Sequence, residues 1–191
     1  MNEPRTAFIA VDVQPDFCDE GRLPVAGGNE VAERIAEYLA DHAGQYEVVV
    51  ATRDYHVDPG PHFGDPPDFR DSWPVHCVAG TPGAELHPAL AEAPLAEVFD
   101  KGAYAAAYSG FEGSSDDGEP LDAYLRRHGV TAVDVAGLAT DYCVAATARD
   151  ALERGFRTRV LADLSAGVAP ETSVAALADL EERGAEVASS G

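Results

Sequence analysis

Cys143 is the residue whose surroundings are best suited to chemistry. It follows an apolar stretch at 130–136 that is typical of a short buried strand, and it precedes a helix predicted over 144–152. Thr140 or Asp141 can cap that helix, because a short side-chain oxygen accepts a free amide hydrogen there. A cysteine in the first turn lies near free amides and the positive end of the helix dipole, which favour the thiolate. The position therefore suits a nucleophile, although a buried structural cysteine is the commoner case.

An acid and a lysine follow two other predicted strands and could ionise this thiol. Asp12 lies near the end of the apolar run at 5–13, and Lys101, the single lysine of the chain, follows a strand predicted at 95–100. A carboxylate beside a thiol can accept its proton, and a nearby ammonium stabilises the ionised pair. Alone, each residue is more often a cap or part of a surface ion pair. Their joint placement with Cys143 predicts a nucleophilic site.

A second group of residues has the chemistry of a metal site. Asp54 follows another predicted strand, at 47–53, and three histidines lie in the Gly- and Pro-rich segment after it: His56, His62 and His76. Carboxylate oxygen and neutral imidazole nitrogen suit Zn, Mn or Fe, and no thiolate is involved. A long irregular segment in a compact domain is usually functional. We therefore predict that this segment binds a metal ion.

These residues require a fold that brings several strand ends together. Further helices are predicted at 29–43, 121–127 and 171–183, and further strands at 156–162 and 185–188. The alternation predicts a single α/β domain over 1–191, with a three-layer, doubly wound, mostly parallel six-stranded sheet and helices on both faces. In such sheets the site lies outside the carboxyl ends of the strands, where Asp12, Asp54, Lys101 and Cys143 all fall.

Composition limits the partners of this protein. The 191 residues include 34 acidic and 13 basic side chains, for a formal charge of -21 at pH 7. This charge argues against nucleic acid and anionic membranes as partners, because both favour basic surfaces. Without a membrane-spanning apolar stretch or a signal-peptide pattern, we expect a cytoplasmic protein. Adaptation to a salty cell interior or a GC-rich coding bias could each produce so acidic a chain.

Five motifs occur in order along the chain: VDVQPDF at 11–17, RDYHVDP at 53–59, WPVHCVAGTPGA at 73–84, KGAYAAAYSGF at 101–111 and GLATDYCV at 137–144. In residues and spacing the chain resembles the nicotinamidases of the isochorismatase-like hydrolase superfamily. The resemblance implies the isochorismatase-like hydrolase fold. It also implies hydrolysis of nicotinamide to nicotinate and ammonia, with pyrazinamide as a further substrate, in the salvage of nicotinamide toward NAD.

The resemblance assigns catalytic roles to individual residues. It implies that Asp12 is the base, Lys101 the stabilising cation and Cys143 the nucleophile that forms a thioester. It also implies a cis peptide bond before Ala139, and the amides of Ala139 and Cys143 are then expected to hold the oxyanion. Water hydrolyses the thioester, and the sequence leaves open whether Asp12 or the metal activates it.

The resemblance also implies how the substrate is held. One divalent metal (Zn, Fe or Mn) grips the pyridine nitrogen and is bound by Asp54, His56, His76 and, at a position that varies among relatives, His62. Phe17, Trp73 and Tyr108 are expected to form the walls around the ring, although core packing is the usual role of aromatics. Tyr142 stands where many relatives carry histidine, so the pocket rim is expected to differ. A monomer and a homo-oligomer are both compatible with the sequence.

Two other interpretations fit the same residues. A related isochorismatase-like amidase could act on another small amide or carbamoyl compound, although the predicted metal site argues against this. A metal-dependent oxidoreductase or a metal-binding protein would use the histidines and leave Cys143 as a buried structural residue. Iodoacetamide distinguishes these cases, because a catalytic Cys143 should be alkylated with loss of ammonia release.

Overall fold

A six-stranded parallel sheet forms the centre of the structure, a computed structural model that describes residues 4–191. The strands are β1 (Thr6–Val11), β2 (Val48–Asp54), β3 (Glu97–Lys101), β4 (Ala132–Leu138), β5 (Arg157–Ala166) and β6 (Glu186–Ala188). The helices are α1 (Gly28–His42), α2 (Leu121–Arg127), α3 (Ala145–Glu153) and α4 (Pro170–Glu182). Among the described residues, no helix is both long and apolar enough to cross a membrane.

The order of the strands is β3-β2-β1-β4-β5-β6, and every neighbouring pair is parallel. The chain therefore winds outward from β1 in one direction and from β4 in the other, which confirms the predicted doubly wound α/β fold. The prediction of a single domain over 1–191 stays a prediction, and residues 1–3 lie outside the described part of the chain.

Both faces of the sheet are covered. Ala7, Ile9 and Val11 of β1 pack into the apolar layer that includes α2, α3 and α4. Phe8 and Ala10 point the other way, into the layer that includes α1. Alternate side chains of a strand point to opposite faces, so a strand covered on both sides is apolar throughout. This burial explains why β1 has a continuous apolar run.

Two predicted strands end later than the sequence pattern indicated. β4 ends at Leu138 rather than at 136, and β5 extends to Ala166 rather than to 162. The cause is an irregularity between Val135 and Gly137, after which Gly137 pairs with Ser165 of β5. A shift of register of this kind depends on the neighbouring strand and is invisible in the local pattern.

The carboxyl ends of β1 and β4 lie side by side, where the direction of winding reverses. Val11 pairs with Gly137, which has a φ of 130°. A Cβ atom at Gly137 would lie 2.1 Å from the carbonyl oxygen of Val11, so only glycine allows this close approach. The residues that follow the two strands, Asp12 and the turn that contains Cys143, are brought together as a result.

The irregular segment at 55–94 lies against the same edge of the sheet. A hydrogen bond from Tyr55 N to Lys101 O at 2.9 Å fastens its backbone to the end of β3, and one from His56 N to Cys77 O at 2.9 Å joins two parts of the segment. Three short 3-10 turns interrupt the segment: Gly60–His62, Pro82–Ala84 and Pro88–Leu90. These contacts place the histidines of the segment beside the strand ends.

Candidate active site

The residues that the sequence predicts to act together meet at the carboxyl edge of the sheet. Lys101 Nζ lies 2.8 Å from Asp12 Oδ2 and 3.7 Å from Cys143 Sγ, and it also contacts the Asp54 carboxylate. The ammonium donates a further hydrogen bond to the carbonyl oxygen of Ala107 at 3.1 Å. Asp12, Lys101 and Cys143 are all buried. A carboxylate, an ammonium and a thiol thus share one enclosed space.

Burial and neighbouring charges shift the pKa values of the ionisable groups. Burial by itself would lower the pKa of Lys101, but the Asp12 and Asp54 carboxylates raise it well above its usual range. Burial raises the pKa of Asp12, while the charge of Lys101 opposes the shift and that of Asp54 adds to it. Lys101 is therefore a permanent ammonium, and Asp12 is a stronger base than an exposed carboxylate.

The prediction that Cys143 favours the thiolate is wrong for the free protein. Burial raises the pKa of this thiol well above its usual range, and Lys101 lowers it only in part. The charges of Asp12 and Asp54 add to the rise. Desolvation and two nearby carboxylates thus oppose the thiolate at this position. At rest, the structure therefore places a neutral thiol beside a carboxylate whose pKa is raised.

Cys143 lies in a wide turn that precedes α3 rather than in a regular first turn. The turn, Thr140–Val144, is π-helical, and such turns are frequent at functional sites. Neither residue predicted to cap the helix does so, because the capping position is Ala139, which has no polar side chain. The Asp141 carboxylate instead accepts hydrogen bonds from the amides of Val168 and Ala169, which precede α4. The peptide bond between Leu138 and Ala139 is cis, as the resemblance implied.

Three buried histidines form a second group beside the first. His56, His62 and His76 each offer one ring nitrogen such that the three atoms lie within 4.8 Å of one another. Asp54 Oδ2 lies 3.3 Å from His56 Nε2 and 3.6 Å from His76 Nε2, while its other oxygen contacts Lys101. Asp54 therefore joins the histidine cluster to the cluster that contains the thiol. Lys101 and the two histidines hold the pKa of Asp54 well below its usual range, although burial by itself would raise it.

The hydrogen bonds of the histidines leave nitrogen lone pairs free. His56 Nδ1 lies 2.6 Å from Gly102 O and His76 Nδ1 lies 2.7 Å from Pro74 O, so the tautomer that donates each of these bonds presents Nε2 as its acceptor. Neither ring nitrogen of His62 has a hydrogen-bond partner among the described residues, although both are buried. Burial, together with the other two histidines, lowers the pKa of His62 to about 4. An unpartnered neutral imidazole in this position is suited to bind a metal ion.

A cavity of about 270 Å³ opens onto both groups. Its walls include the three aromatic residues that we predicted: Phe17, Trp73 and Tyr108. Trp73 Nε1 donates to the Tyr108 hydroxyl at 3.1 Å, and the Tyr142 ring packs edge-on against Trp73 with centroids 5.2 Å apart. Other wall residues were not predicted: Leu23, Pro24, Val25, Phe69 and Val168. Ligand cavities usually measure about 300–1,000 Å³, so this one suits a small ring.

Two buried polar residues that we did not predict support the site. Thr52 Oγ1 donates to Asp12 Oδ1 at 2.7 Å. The Gln14 amide exchanges two hydrogen bonds with the backbone of Asp54, each 2.8 Å long. A threonine within an apolar strand and a glutamine in the motif of Asp12 were the available signals. Their partners belong to neighbouring strands, however, so the sequence did not identify them.

Comparison with known proteins agrees with this architecture. The isochorismatase domain family matches residues 6–191. The nicotinamidase/pyrazinamidase of Mycobacterium tuberculosis is 54% identical over 181 residues, which are 95% of this chain and 97% of that protein. The chain therefore belongs to the isochorismatase family.

Two solved structures share the fold over nearly the whole chain. The pyrazinamidase of Pyrococcus horikoshii, in complex with zinc, has a TM-score of 0.83 and 39% identity, and the match covers 97% of this chain and 99% of that one. PnC1 from L. infantum, in complex with nicotinate, has a TM-score of 0.85 and 32% identity, with 100% and 95% covered. The sequence resemblance to this family is thus confirmed.

Proposed function

We propose that this protein is a cysteine amidohydrolase that converts nicotinamide to nicotinate and ammonia, and pyrazinamide to pyrazinoate, in NAD salvage. The observation that carries the proposal is the shared cavity, which is lined by the thiol of Cys143 and by the possible metal ligands Asp54, His62 and His76. The 54% identity to a nicotinamidase/pyrazinamidase supports the choice of substrate over another small amide or carbamoyl compound.

The residues of the histidine cluster fit one divalent metal, Zn, Fe or Mn. The unpartnered buried nitrogens of His56 and His62 need a ligand, and three imidazoles with a carboxylate form a donor set that these metals favour. In this proposal His56, His62, His76 and Asp54 hold the ion. When bound, it supplies a Lewis acid for the ring nitrogen of the substrate.

The first half of the reaction follows from the thiol–carboxylate pair. The Cys143 sulfur forms a bond to the carboxamide carbon while its proton moves to Asp12, so the thiolate never has to accumulate in the buried site. Lys101 stabilises the negative charge on the sulfur and on Asp12. The backbone amides of Ala139 and Cys143 hold the oxyanion, and one such donor typically contributes about 3 kcal/mol to transition-state stabilisation.

The second half releases ammonia and restores the Cys143 thiol with a proton taken from water. Asp12 gives its proton to the amide nitrogen, the C–N bond breaks and ammonia departs. The acyl group remains bound to Cys143 as a thioester. Asp12 then accepts a proton from water as the water oxygen bonds to the thioester carbon. The C–S bond breaks, Asp12 reprotonates the sulfur, and the product leaves as nicotinic acid, which loses its remaining proton to solvent to become nicotinate. We assign water activation to Asp12 because the same group must restore the Cys143 thiol.

Ammonia release from nicotinamide, with and without a chelator, tests the proposal. We expect turnover by the protein as isolated, loss of turnover after metal removal, and recovery with Zn, Fe or Mn. His56→Ala should weaken metal binding and raise KM while the fold is kept, and His87→Ala is the control outside the cluster. A protein that binds metal but releases no ammonia from nicotinamide would contradict the assignment.

A further inference from the structure

One side chain fastens the segment between β5 and α4, residues 167–169, to the turn of Cys143. Asp141 Oδ1 accepts a hydrogen bond from Val168 N at 2.9 Å, and Asp141 Oδ2 accepts from Ala169 N at 3.3 Å and from the Thr172 hydroxyl. Ala169 precedes α4 and has no polar side chain with which to cap it. Asp141 therefore binds the two residues that precede α4 and the Thr172 side chain of its first turn, where the positive end of the helix dipole favours a carboxylate.

The turn of Cys143 is held without the Asp141 carboxylate. Two backbone amides close the turn by donating to Ala139 O at 3.1 Å, and Thr147 Oγ1 donates to the Cys143 carbonyl at 2.7 Å. Within the 167–169 segment, the amides of Val168 and Ala169 depend on Asp141 for their hydrogen bonds. Loss of the carboxylate should therefore release the 167–169 segment and leave the nucleophile in place.

Val168 connects this segment to the substrate cavity. Its side chain lines the cavity and is 53% exposed, so packing against the rest of the protein does little to fix its position. From these contacts we infer that Asp141 is a positioning residue that holds the Val168 wall at the correct distance from the substrate ring. Asp141 is not among the described residues that line the cavity, so its effect passes through the segment.

The kinetic test rests on the proposed function and separates binding from chemistry. In Asp141→Ala we expect KM for nicotinamide to rise about tenfold, because a displaced Val168 side chain would lose its contact with the substrate in the ground state and the transition state alike. We expect kcat to stay within about threefold of wild type, because Asp12, Lys101 and Cys143 keep their contacts. Val168→Ala should reproduce the rise in KM, and Asp141→Asn, which keeps one acceptor oxygen, should give a smaller rise.

Matched measurements separate this role from general stability. Asp179→Asn removes an acid that joins α4 to Arg149 of α3, so it should lower Tm and leave KM unchanged. The rate of Cys143 alkylation by iodoacetamide in Asp141→Ala should stay within about twofold of wild type. A wild-type KM in folded Asp141→Ala would overturn the inference. A parallel loss of kcat and of the Cys143 alkylation rate would also overturn it, because that result would show that Asp141 acts on the turn of Cys143.

A failure of the proposed function can be distinguished from a failure of this inference. If the wild-type protein releases no ammonia from nicotinamide, the proposed function is wrong. Amide hydrogen exchange still decides the inference in that case. Faster exchange at Val168 and Ala169 in Asp141→Ala, with the turn of Cys143 unchanged, supports it, and unchanged exchange at the two amides overturns it.

Discussion

At the scale of single residues, the site depends on one buried cation that contacts three acidic groups and stabilises their negative charge. Lys101 contacts Asp12, Asp54 and Cys143 inside the protein. If both carboxylates and the sulfur were ionised together, one ammonium would face three negative charges in a space without bulk water. One proton is therefore retained, and Asp12 and Cys143 titrate as a coupled pair. In the proposed reaction, this retained proton moves from the Cys143 sulfur to the Asp12 carboxylate.

Replacement of the nucleophile tests the residue on which the reaction depends. We expect Cys143→Ala to reduce ammonia release by about four orders of magnitude or more, as for other covalent catalysts, while the metal stays bound. Ammonia release and metal content measure the two effects separately. Cys18→Ala, also a buried cysteine but outside the cavity lining, is the matched control and should stay active. Near-full activity in Cys143→Ala would show that the nucleophile is a different group.

Thr52 should tune the pH dependence of the reaction. Its hydroxyl lowers the pKa of Asp12, which burial raises. Because Asp12 must be a carboxylate to accept the proton of the thiol, kcat/KM should fall as the pH drops through the Asp12 pKa. In Thr52→Val that pKa rises, so the acidic limb of the pH profile should move to higher pH. Thr52→Ser keeps the hydroxyl and should keep the wild-type profile. If the acidic limb does not move in Thr52→Val, that limb does not report the titration of Asp12.

At the scale of elements, the junction of β1 and β4 decides whether a site exists. Asp12 and Cys143 follow these two strands, and the strands can be neighbours only because Gly137 has no side chain. β2 and β3 contribute in the same way, since Asp54 and Lys101 are register partners at their carboxyl ends. The parallel arrangement thus turns four strand ends that are distant in sequence into one cluster.

A methyl group at Gly137 should separate β1 from β4. Because its Cβ would lie 2.1 Å from Val11 O at a φ of 130°, we expect Gly137→Ala to cost roughly 3 kcal/mol or more and to abolish activity. Gly184→Ala is the matched control, with a φ of 102° and no atom within 4 Å of the added carbon, and it should cost about 1 kcal/mol. Denaturant unfolding measures both. Equal costs would show that the close approach of the strands is unimportant.

At the scale of the whole molecule, acidic charge is in large excess. The 13 basic residues cannot compensate 34 acids, and many of the basic residues are already in ion pairs, such as Arg53 with Glu85 and Asp100. Repulsion among the remaining carboxylates opposes the folded state at low ionic strength. Salt screens this repulsion, with a Debye length of about 10 Å at 0.1 M and about 3 Å at 1 M.

Thermal unfolding in KCl distinguishes the two origins of the acidic surface. Adaptation to a salty interior predicts that Tm rises between low and molar KCl. A gain of about 2 kcal/mol corresponds to roughly 4–8 °C for a chain of this size. A coding bias by itself requires no rise in Tm beyond what screening of the carboxylates gives. Activity measured in parallel should follow the folded fraction, and an unchanged Tm would contradict the hypothesis of adaptation to high salt.

Much of the fold followed from local patterns. Apolar runs such as β1 and β2, and the alternation of strands with helices, predicted a parallel sheet, and a parallel sheet places its strand ends at one edge. Asp12, Asp54, Lys101 and Cys143 were therefore expected to converge, and they lie together. The exact ends of β4 and β5 were missed, because the irregularity at Gly137 depends on how one strand pairs with another.

The sequence by itself determined which residues form the site and at which edge of the sheet they lie, because residue types and periodicity are local properties. Only the tertiary structure decided the protonation state and the hydrogen-bond partners of those groups. It showed that burial keeps Cys143 as a thiol, that Thr52 and Gln14 support the acids, and that Asp141 binds the residues before α4 rather than capping its own helix. Burial and hydrogen bonds between distant residues depend on distances in space, and these exist only once the chain has folded.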